Sequence, residues 1–272
     1  ATHFNTFELV TYRGAIGTLI MAVLCQRKGI SLKTPVPRMH IYRSFVGVVS
    51  LTAWFYAIAK LPLATAMTLN YMSGVWVAAF LVGSTIWVGS FQNISRQMPV
   101  ALTVLVGFAG VVMTLRPTFE QNQMLAGLIG VASGMIAAMA YLQVAALGKV
   151  GEPVERTVFY FSLGAAVSGG ISMLFLGANE WQWPSALWLL PIGVLAALGQ
   201  WCMTQAYTDG ATMVVANLQY AGIVFSALFG LFLFGDQIPF IGWAGMFLIV
   251  LSGIAATALR DRSLNKVPAE EH

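Results

Sequence analysis

The chain has 272 residues, 58% of them hydrophobic and 9% charged, with a mean hydropathy of +0.78. A soluble domain carries roughly 25% charged residues, so this composition excludes a water-soluble globular protein and indicates an integral membrane protein. The net charge of +4 and isoelectric point near 9.2 do not argue for nucleic acid, because Lys and Arg gather in short connections between apolar runs, where they orient a membrane protein.

Crossing about 30 Å of hydrocarbon takes about 20 residues of helix. The runs long enough are 9–26, 41–60, 64–88 and 98–115 in the first half, then 123–147, 157–177, 186–206, 211–234 and 238–259 in the second. One stretch recurs: residues 69–80 read LNYMSGVWVAAF and residues 218–229 read LQYAGIVFSALF, with Asn70 matching Gln219 and Trp76 matching Phe225. Ala59, Ala64 and Thr65 precede the first copy as Ala206, Ala211 and Thr212 precede the second, and Leu105, Gly110 and Thr114 return as Leu248, Gly253 and Thr257. Duplicated apolar runs are the sign of a transporter built from internal repeats. Residues 1–116 form the first repeat, 117–122 a link, 123–259 the second repeat and 260–272 a cytoplasmic tail.

The halves differ by one span. Val10 and Tyr12 match Val158 and Tyr160, so 9–26 pairs with 157–177, and 123–147 has no partner. Its partner is expected upstream of Ala1, in about 25 residues, enough for one more crossing. The fold class is therefore an all-α polytopic membrane protein, an inverted repeat of five transmembrane helices, ten in the full fold with nine visible and the first expected to precede this chain. An odd number of crossings per repeat inserts the two copies in opposite orientations.

Of the 14 Lys and Arg residues, eleven fall on one side: Arg27, Lys28, Lys33, Arg38, Arg43, Arg96, Lys149, Arg156, Arg260, Arg262 and Lys266. The other side has Arg13, Lys60 and Arg116, so the basic side is cytoplasmic and holds the C-terminus. Trp181, Trp183 and Trp188 then fall at the outer interface, as an aromatic belt requires. Gly130 with Gly134, and Ser226 with Gly230, have the spacing that lets helix backbones approach. Cys25 and Cys202 both lie in apolar runs and read as buried packing residues, with no disulfide or metal site indicated.

The order of runs, with FELVTYRG opening 9–26, LPLATAMTLNY opening 64–88 and LQYAGIVFSALFGLFLFGD closing 211–234, resembles the drug/metabolite transporter superfamily, specifically its EamA-like bacterial members. The resemblance covers essentially the whole chain apart from the tail. Two departures stand out: Gly74 and Ile223 occupy places where members often carry proline after the repeat tyrosine, and Trp87 and Val88 stand where an acidic residue often closes the fourth helix, retained only as Asp236 in the second half. The resemblance implies an inner-membrane carrier of small metabolites working by alternating access, with a central cavity between the repeats. It selects no single substrate among amino acids, nucleotide precursors, vitamins and drugs.

Polar groups deep in a membrane face the protein interior or a cavity. The deep set is Asn70, Tyr71, Tyr141, Gln143, Gln200, Gln205, Asn217, Gln219 and Tyr220. Asn217 and Tyr220 share a helical face, and the Asn70/Tyr71 and Gln219/Tyr220 pairs are repeat equivalents placed to line one cavity, or else amides that bridge helices. Trp54, Tyr56, Trp76, Tyr160, Trp201 and Phe225 are candidates to stack on a planar substrate or simply to pack; Trp54 and Trp201 occupy matching positions. Arg13, just after Glu8, either meets a substrate carboxylate or phosphate, or snorkels or pairs with Glu8. Lys60 reads as an interfacial anchor.

All ten acids, Glu8, Glu120, Glu152, Glu155, Glu180, Asp209, Asp236, Asp261, Glu270 and Glu271, sit at helix ends, in links or in the tail. His3, His40 and His272 are terminal or in a connection, so a buried histidine relay is unsupported. The absence of HExxH, paired CxxC and GxxxxGK[ST] patterns argues against a hydrolase, a redox enzyme or an ATP-driven pump. Facilitated diffusion or exchange fits at least as well as proton antiport, for which the proton would couple through Glu8 or Asp209 at a gate or through a group on the first helix expected to precede this chain. A channel or a non-transporting membrane scaffold is the alternative. The expected partners are a small-molecule substrate, the lipid bilayer and, as an option, a second copy in a homodimer; no cofactor and no nucleic acid are expected.

Overall fold

Asn5 opens the first helix with a reciprocal cap: its side chain accepts from the Glu8 N–H at 3.0 Å, and the Glu8 carboxylate accepts from the Asn5 N–H at 2.6 Å. This helix, α1 (Thr6–Arg27), is followed by α2 (Pro37–Lys60), α3 (Leu63–Tyr71), α4 (Ser73–Trp87), α5 (Phe91–Leu115), α6 (Met124–Lys149), α7 (Val154–Leu176), the short α8 (Trp183–Ala186), α9 (Leu189–Asp209), α10 (Thr212–Leu218), α11 (Ala221–Phe229) and α12 (Phe240–Leu264). The structure is a computed structural model and describes residues 4–89, 91–118, 123–177, 179, 183–235 and 237–264. Among the described residues there is no strand, and 9 spans are long and apolar enough to cross a membrane. Leu19, Ile41, Phe45, Leu102, Leu195 and Phe247 are each more than half exposed. In water such a surface would aggregate; here it is the face that hydrocarbon covers. Trp183 and Trp188 are exposed as a belt requires, whereas Trp181 lies outside the described residues, as do Glu120, Glu180, Asp236, Glu270, Glu271, His3 and His272.

The chain forms two compact units, Ala1–Phe55 with Met139–Gly210, and Tyr56–Ala138 with Ala211–His272. In the first unit α1 packs along α7. A Cβ on Gly14 would sit 2.6 Å from the Ala166 backbone nitrogen, and one on Gly17 would sit 2.9 Å from Ser162 Oγ, while Thr11 approaches Gly169 and the Asn5 amide donates to the Gly177 carbonyl at 3.3 Å. Rising numbers on α1 thus meet falling numbers on α7, and the two run antiparallel. Met21, Val158 and Ala197 are buried together where α1, α7 and α9 converge.

The second unit repeats the arrangement with α5 against α12. A Cβ on Gly110 or on Gly245 would lie 2.6 Å from the other residue's carbonyl oxygen. Gly107 lies beside Ser252, and Thr114 beside Gly245, so this pair is also antiparallel. Gly134 on α6 lets the Leu69 carbonyl approach so closely that an added Cβ would sit 2.6 Å from it, the small-residue packing expected there. Val104, Val111, Tyr220, Ile223 and Ile249 fill the core among α5, α10, α11 and α12. In both units, helices that the sequence matches as repeat equivalents are the ones that pack head to tail.

Two spans are each interrupted by a turn while remaining single spans, Leu63–Trp87 and Thr212–Leu233. The run 64–88 divides into α3 and α4 at Met72, and 211–234 divides into α10 and α11 at Gln219–Tyr220. At the second break the bonds tighten to the residue three back: the N–H groups of Tyr220, Gly222 and Ile223 donate to Asn217, Gln219 and Tyr220 at 3.0, 3.2 and 3.0 Å. Both breaks fall in the repeated stretch, and neither contains proline. Beyond α11 the helix widens into a π turn, Gly230–Phe234, closed by Gly235 at φ 71°.

Three further expectations are corrected. Cys202 is exposed, because it sits on the outer face of α9; Cys25 is buried as expected. Arg43 and His40 lie not in a connection but inside α2, which Pro37 starts four residues earlier than the apolar run. Both are buried, at 3% and 1% exposure, so a buried histidine is present after all.

Candidate substrate site

In the first unit, Arg13 on α1 and Gln200 on α9 line one small cavity with Gly14, Phe161, Ser162 and Ala197. It is wide enough only for a water-sized group in this conformation. The Gln200 amide nitrogen is buried there without a hydrogen-bond partner. Glu8 does not serve Arg13: its two oxygens accept from the backbone N–H groups of Asn5 at 2.6 Å and Asn179 at 3.1 Å. Helices far apart in the sequence wall this cavity, α1 near the start of the chain and α7 and α9 beyond residue 150.

The other predicted residues of this unit are spread along it. Tyr141 stacks on Tyr207 with ring centres 5.1 Å apart and planes 14° from parallel. Trp201 donates from Nε1 to Glu155 Oε1 at 3.4 Å and walls an apolar groove with Ile20, Leu24 and Leu198, closed at one end by the Lys28–Glu155 ion pair at 2.6 Å. Gln143 is half-buried on α6, and Trp54 on α2 lies against Phe55 with its Nε1 buried and unpartnered.

Sequence reasoning missed Arg43. Its Cζ stands 4.2 Å from the centre of the Phe161 ring, its Nε and Nη1 are buried without partners, and a Cβ on Gly47 would collide with Nη1. A cation–π contact is worth about 0.5–2 kcal/mol, but it supplies no acceptor for Nε and Nη1. Phe161 is also a wall of the Arg13/Gln200 cavity.

Glu152 lies in the link between α6 and α7, as expected, and is the centre of a buried network there. His40 Nε2 approaches Glu152 Oε2 at 2.9 Å, Thr34 donates to Oε1 at 2.9 Å, and Arg156 Nη1 donates to both oxygens at 3.2 and 3.1 Å. Burial by itself would push the Glu152 carboxyl up; the hydrogen bonds from His40, Thr34 and Arg156 outweigh it and hold the group below its ordinary value. His40 also faces the Tyr160 ring at 4.7 Å, and the Tyr160 hydroxyl donates to the Leu32 carbonyl at 2.8 Å. The segment between α1 and α2 is thereby tied to α7.

In the second unit the polar residues gather at the helix break. Asn217 is 1% exposed and bridges three helices: its amide donates to Thr103 Oγ1 on α5 at 3.0 Å and to the Ser252 carbonyl on α12 at 3.1 Å, while the Ser252 hydroxyl donates back at 3.1 Å. Tyr220 is buried one turn on, edge-to-face with Tyr71 at 6.2 Å, its hydroxyl unpartnered beside Gly74. Gly107 leaves the space that both Asn217 and Tyr220 occupy. Asn70 and Gln219 are half-buried at the two breaks.

No family model matches the chain. It is 34% identical over 91% of its length to the pseudopaline exporter of Pseudomonas aeruginosa, covering 84% of that protein. It is 28% identical to the riboflavin transporter of Vibrio cholerae, over 91% of the chain and 80% of the relative, and 24% identical to an S-adenosylmethionine uptake transporter of Rickettsia bellii, over 86% and 78%. A crystal structure of a protein 19% identical superposes with a TM-score of 0.78 over 93% of this chain and 88% of the other, showing the same fold. With one relative this similar along nearly the whole length and a set of apolar helices to match, the chain belongs to the EamA-like transporters of the drug/metabolite transporter superfamily and is a multi-pass membrane transporter.

Proposed function

We propose that this transporter is a secondary carrier that moves a small organic metabolite, amino acid-like or of similar size, across the bacterial inner membrane by alternating access between inverted repeats, 1–116 and 123–259. The observation that carries this reading is the head-to-tail packing of repeat-equivalent helices, α1 on α7 and α5 on α12, together with breaks at matching places in the two spans that hold Asn70, Tyr71, Gln219 and Tyr220. Inverted-repeat transporters bind their solutes where spans are interrupted; here each interruption is a single turn whose backbone N–H groups keep partners, so the side chains of the turn are the groups on offer. In the first unit Arg13 and Gln200, which share a small cavity, are assigned to solute contact, with Trp54, Tyr141, Gln143 and Trp201 as further candidates; in the second unit Asn70, Tyr71, Gln219 and Tyr220 are, with Asn217 as a further candidate. The named relatives handle pseudopaline, riboflavin and S-adenosylmethionine, all organic solutes, which supports that substrate class without selecting one. With Arg43 inside a helix, the remaining basic residues still favour a cytoplasmic C-terminus.

The test is counterflow in proteoliposomes. Vesicles preloaded with a pool of unlabelled amino acids and vitamins should take up a labelled member transiently above equilibrium, with saturation. Flux that rises linearly with concentration marks a channel, and no flux beyond empty vesicles marks a scaffold; either ends the carrier reading.

A further inference from the structure

Resting on the carrier reading above, we propose that Arg43 is an oxyanion-binding residue and that the solute it holds is a small organic molecule bearing a carboxylate or phosphate. Arg43 is 3% exposed, and two of its guanidinium nitrogens, Nε and Nη1, have no hydrogen-bond partner. Among the described residues no ion pair involves it. A charge inside a membrane span with neither counter-ion nor full hydrogen bonding marks a functional group whose partner arrives from outside the fold.

The surroundings say what that partner is. Arg43, Gly47, Ser50 and Trp54 follow one another at spacings of four, three and four residues, which sets them in one stripe along α2. Gly47 leaves the room that the guanidinium fills, since any side chain there would strike Nη1. Trp54 Nε1 on the same stripe is buried and unpartnered, and so is the Gln200 amide nitrogen in the cavity that Phe161 walls with Arg13. Every one of these unpartnered atoms is an N–H donor, and Arg43 carries a positive charge. Their complement is a group rich in acceptors and negatively charged. A carboxylate or phosphate fits; an amine brings only more donors and the same sign of charge.

The experiment is thermal melting of the purified full chain in detergent, titrated with glutarate, glycerol 3-phosphate and neutral glutaramide. Glutarate or glycerol 3-phosphate is expected to raise the melting temperature of the unaltered protein, the more effective of the two identifying carboxylate or phosphate, and glutaramide is expected to do nothing. Arg43→Gln should melt no lower than the unaltered protein without solute, because it loses an uncompensated charge, and should need roughly 10- to 100-fold more anion for the same shift. Gly47→Ala, which keeps the charge but displaces the guanidinium, should also weaken the anion response, and gives a second reading if Arg43→Gln does not fold. Arg43→Gln melting far lower with an unchanged anion response would make Arg43 a structural residue; glutaramide acting as well as glutarate, or no anion acting at all, would also overturn the proposal. Melting requires no flux and counterflow requires no anion, so a failed carrier reading and a failed anion site give different results.

Discussion

Asn217 bridges α10 to both α5 and α12, and its loss has a bounded cost because its partners keep other acceptors. Thr103 also donates to the Val100 carbonyl at 2.6 Å and Ser252 to the Ile249 carbonyl at 2.8 Å. Asn217→Leu is therefore expected to destabilise by about 1–2 kcal/mol, the upper range for interhelical hydrogen bonds in membranes. Adding Ser252→Ala should cost less than the sum of the two single changes, measured by denaturation in detergent. Glu152 makes a prediction of opposite kind. Its folded-state value is depressed, so its stabilisation is complete above the ordinary 4.5 and is lost as pH falls through the lower folded value. Melting temperature should drop on that acid side in the unaltered protein, and Glu152→Gln should be less stable at neutral pH and flatter in acid. Neither Glu152 nor Arg43 was legible from sequence. A carboxylate between two spans, and an arginine in the basic flank of an apolar run, read as solvated; only the fold shows His40, Thr34 and Arg156 around the one and Phe161 against the other.

Helix packing here depends on places where backbone meets backbone, and the glycines differ sharply in what they tolerate. Gly110→Val places a Cβ 2.6 Å from the Gly245 carbonyl, and should cost about 1–3 kcal/mol or more through separation of α5 and α12. Gly83 on α4 has nothing within 4 Å of an added Cβ, so Gly83→Ala should be neutral or stabilising by up to about 1 kcal/mol. Thermal melts of the two variants side by side check both. The spans themselves were legible because length and hydropathy are set by the bilayer, and the duplicated stretch marked where two of them would be special. That they break there was not legible: with Gly74 and Ile223 in place of proline, no residue announces an interruption. At the second interruption the fold shows what the sequence does not: the Tyr220 ring sits in the space left by Gly74 and Gly107, where the backbone tightens.

Each compact unit draws helices from both halves of the chain, so neither half is a compact unit by itself. Opening the chain between residues 118 and 123 is expected to leave two pieces that copurify when expressed together, held by the α1–α7 and α5–α12 contacts. An affinity tag on one piece and a gel of the eluate decide it, and a tagged piece recovered alone would show those contacts to be too weak. The α1–α7 pairing reaches further than stability. Gly14 meets Ala166 and Gly17 meets Ser162, and under the match of Val10 to Val158, Ser162 is the counterpart of Gly14 and Ala166 that of Thr18. The contact is thus close to self-complementary, the geometry of a two-fold dimer interface. A helix carrying this small-residue face would thus seat an antiparallel copy of itself.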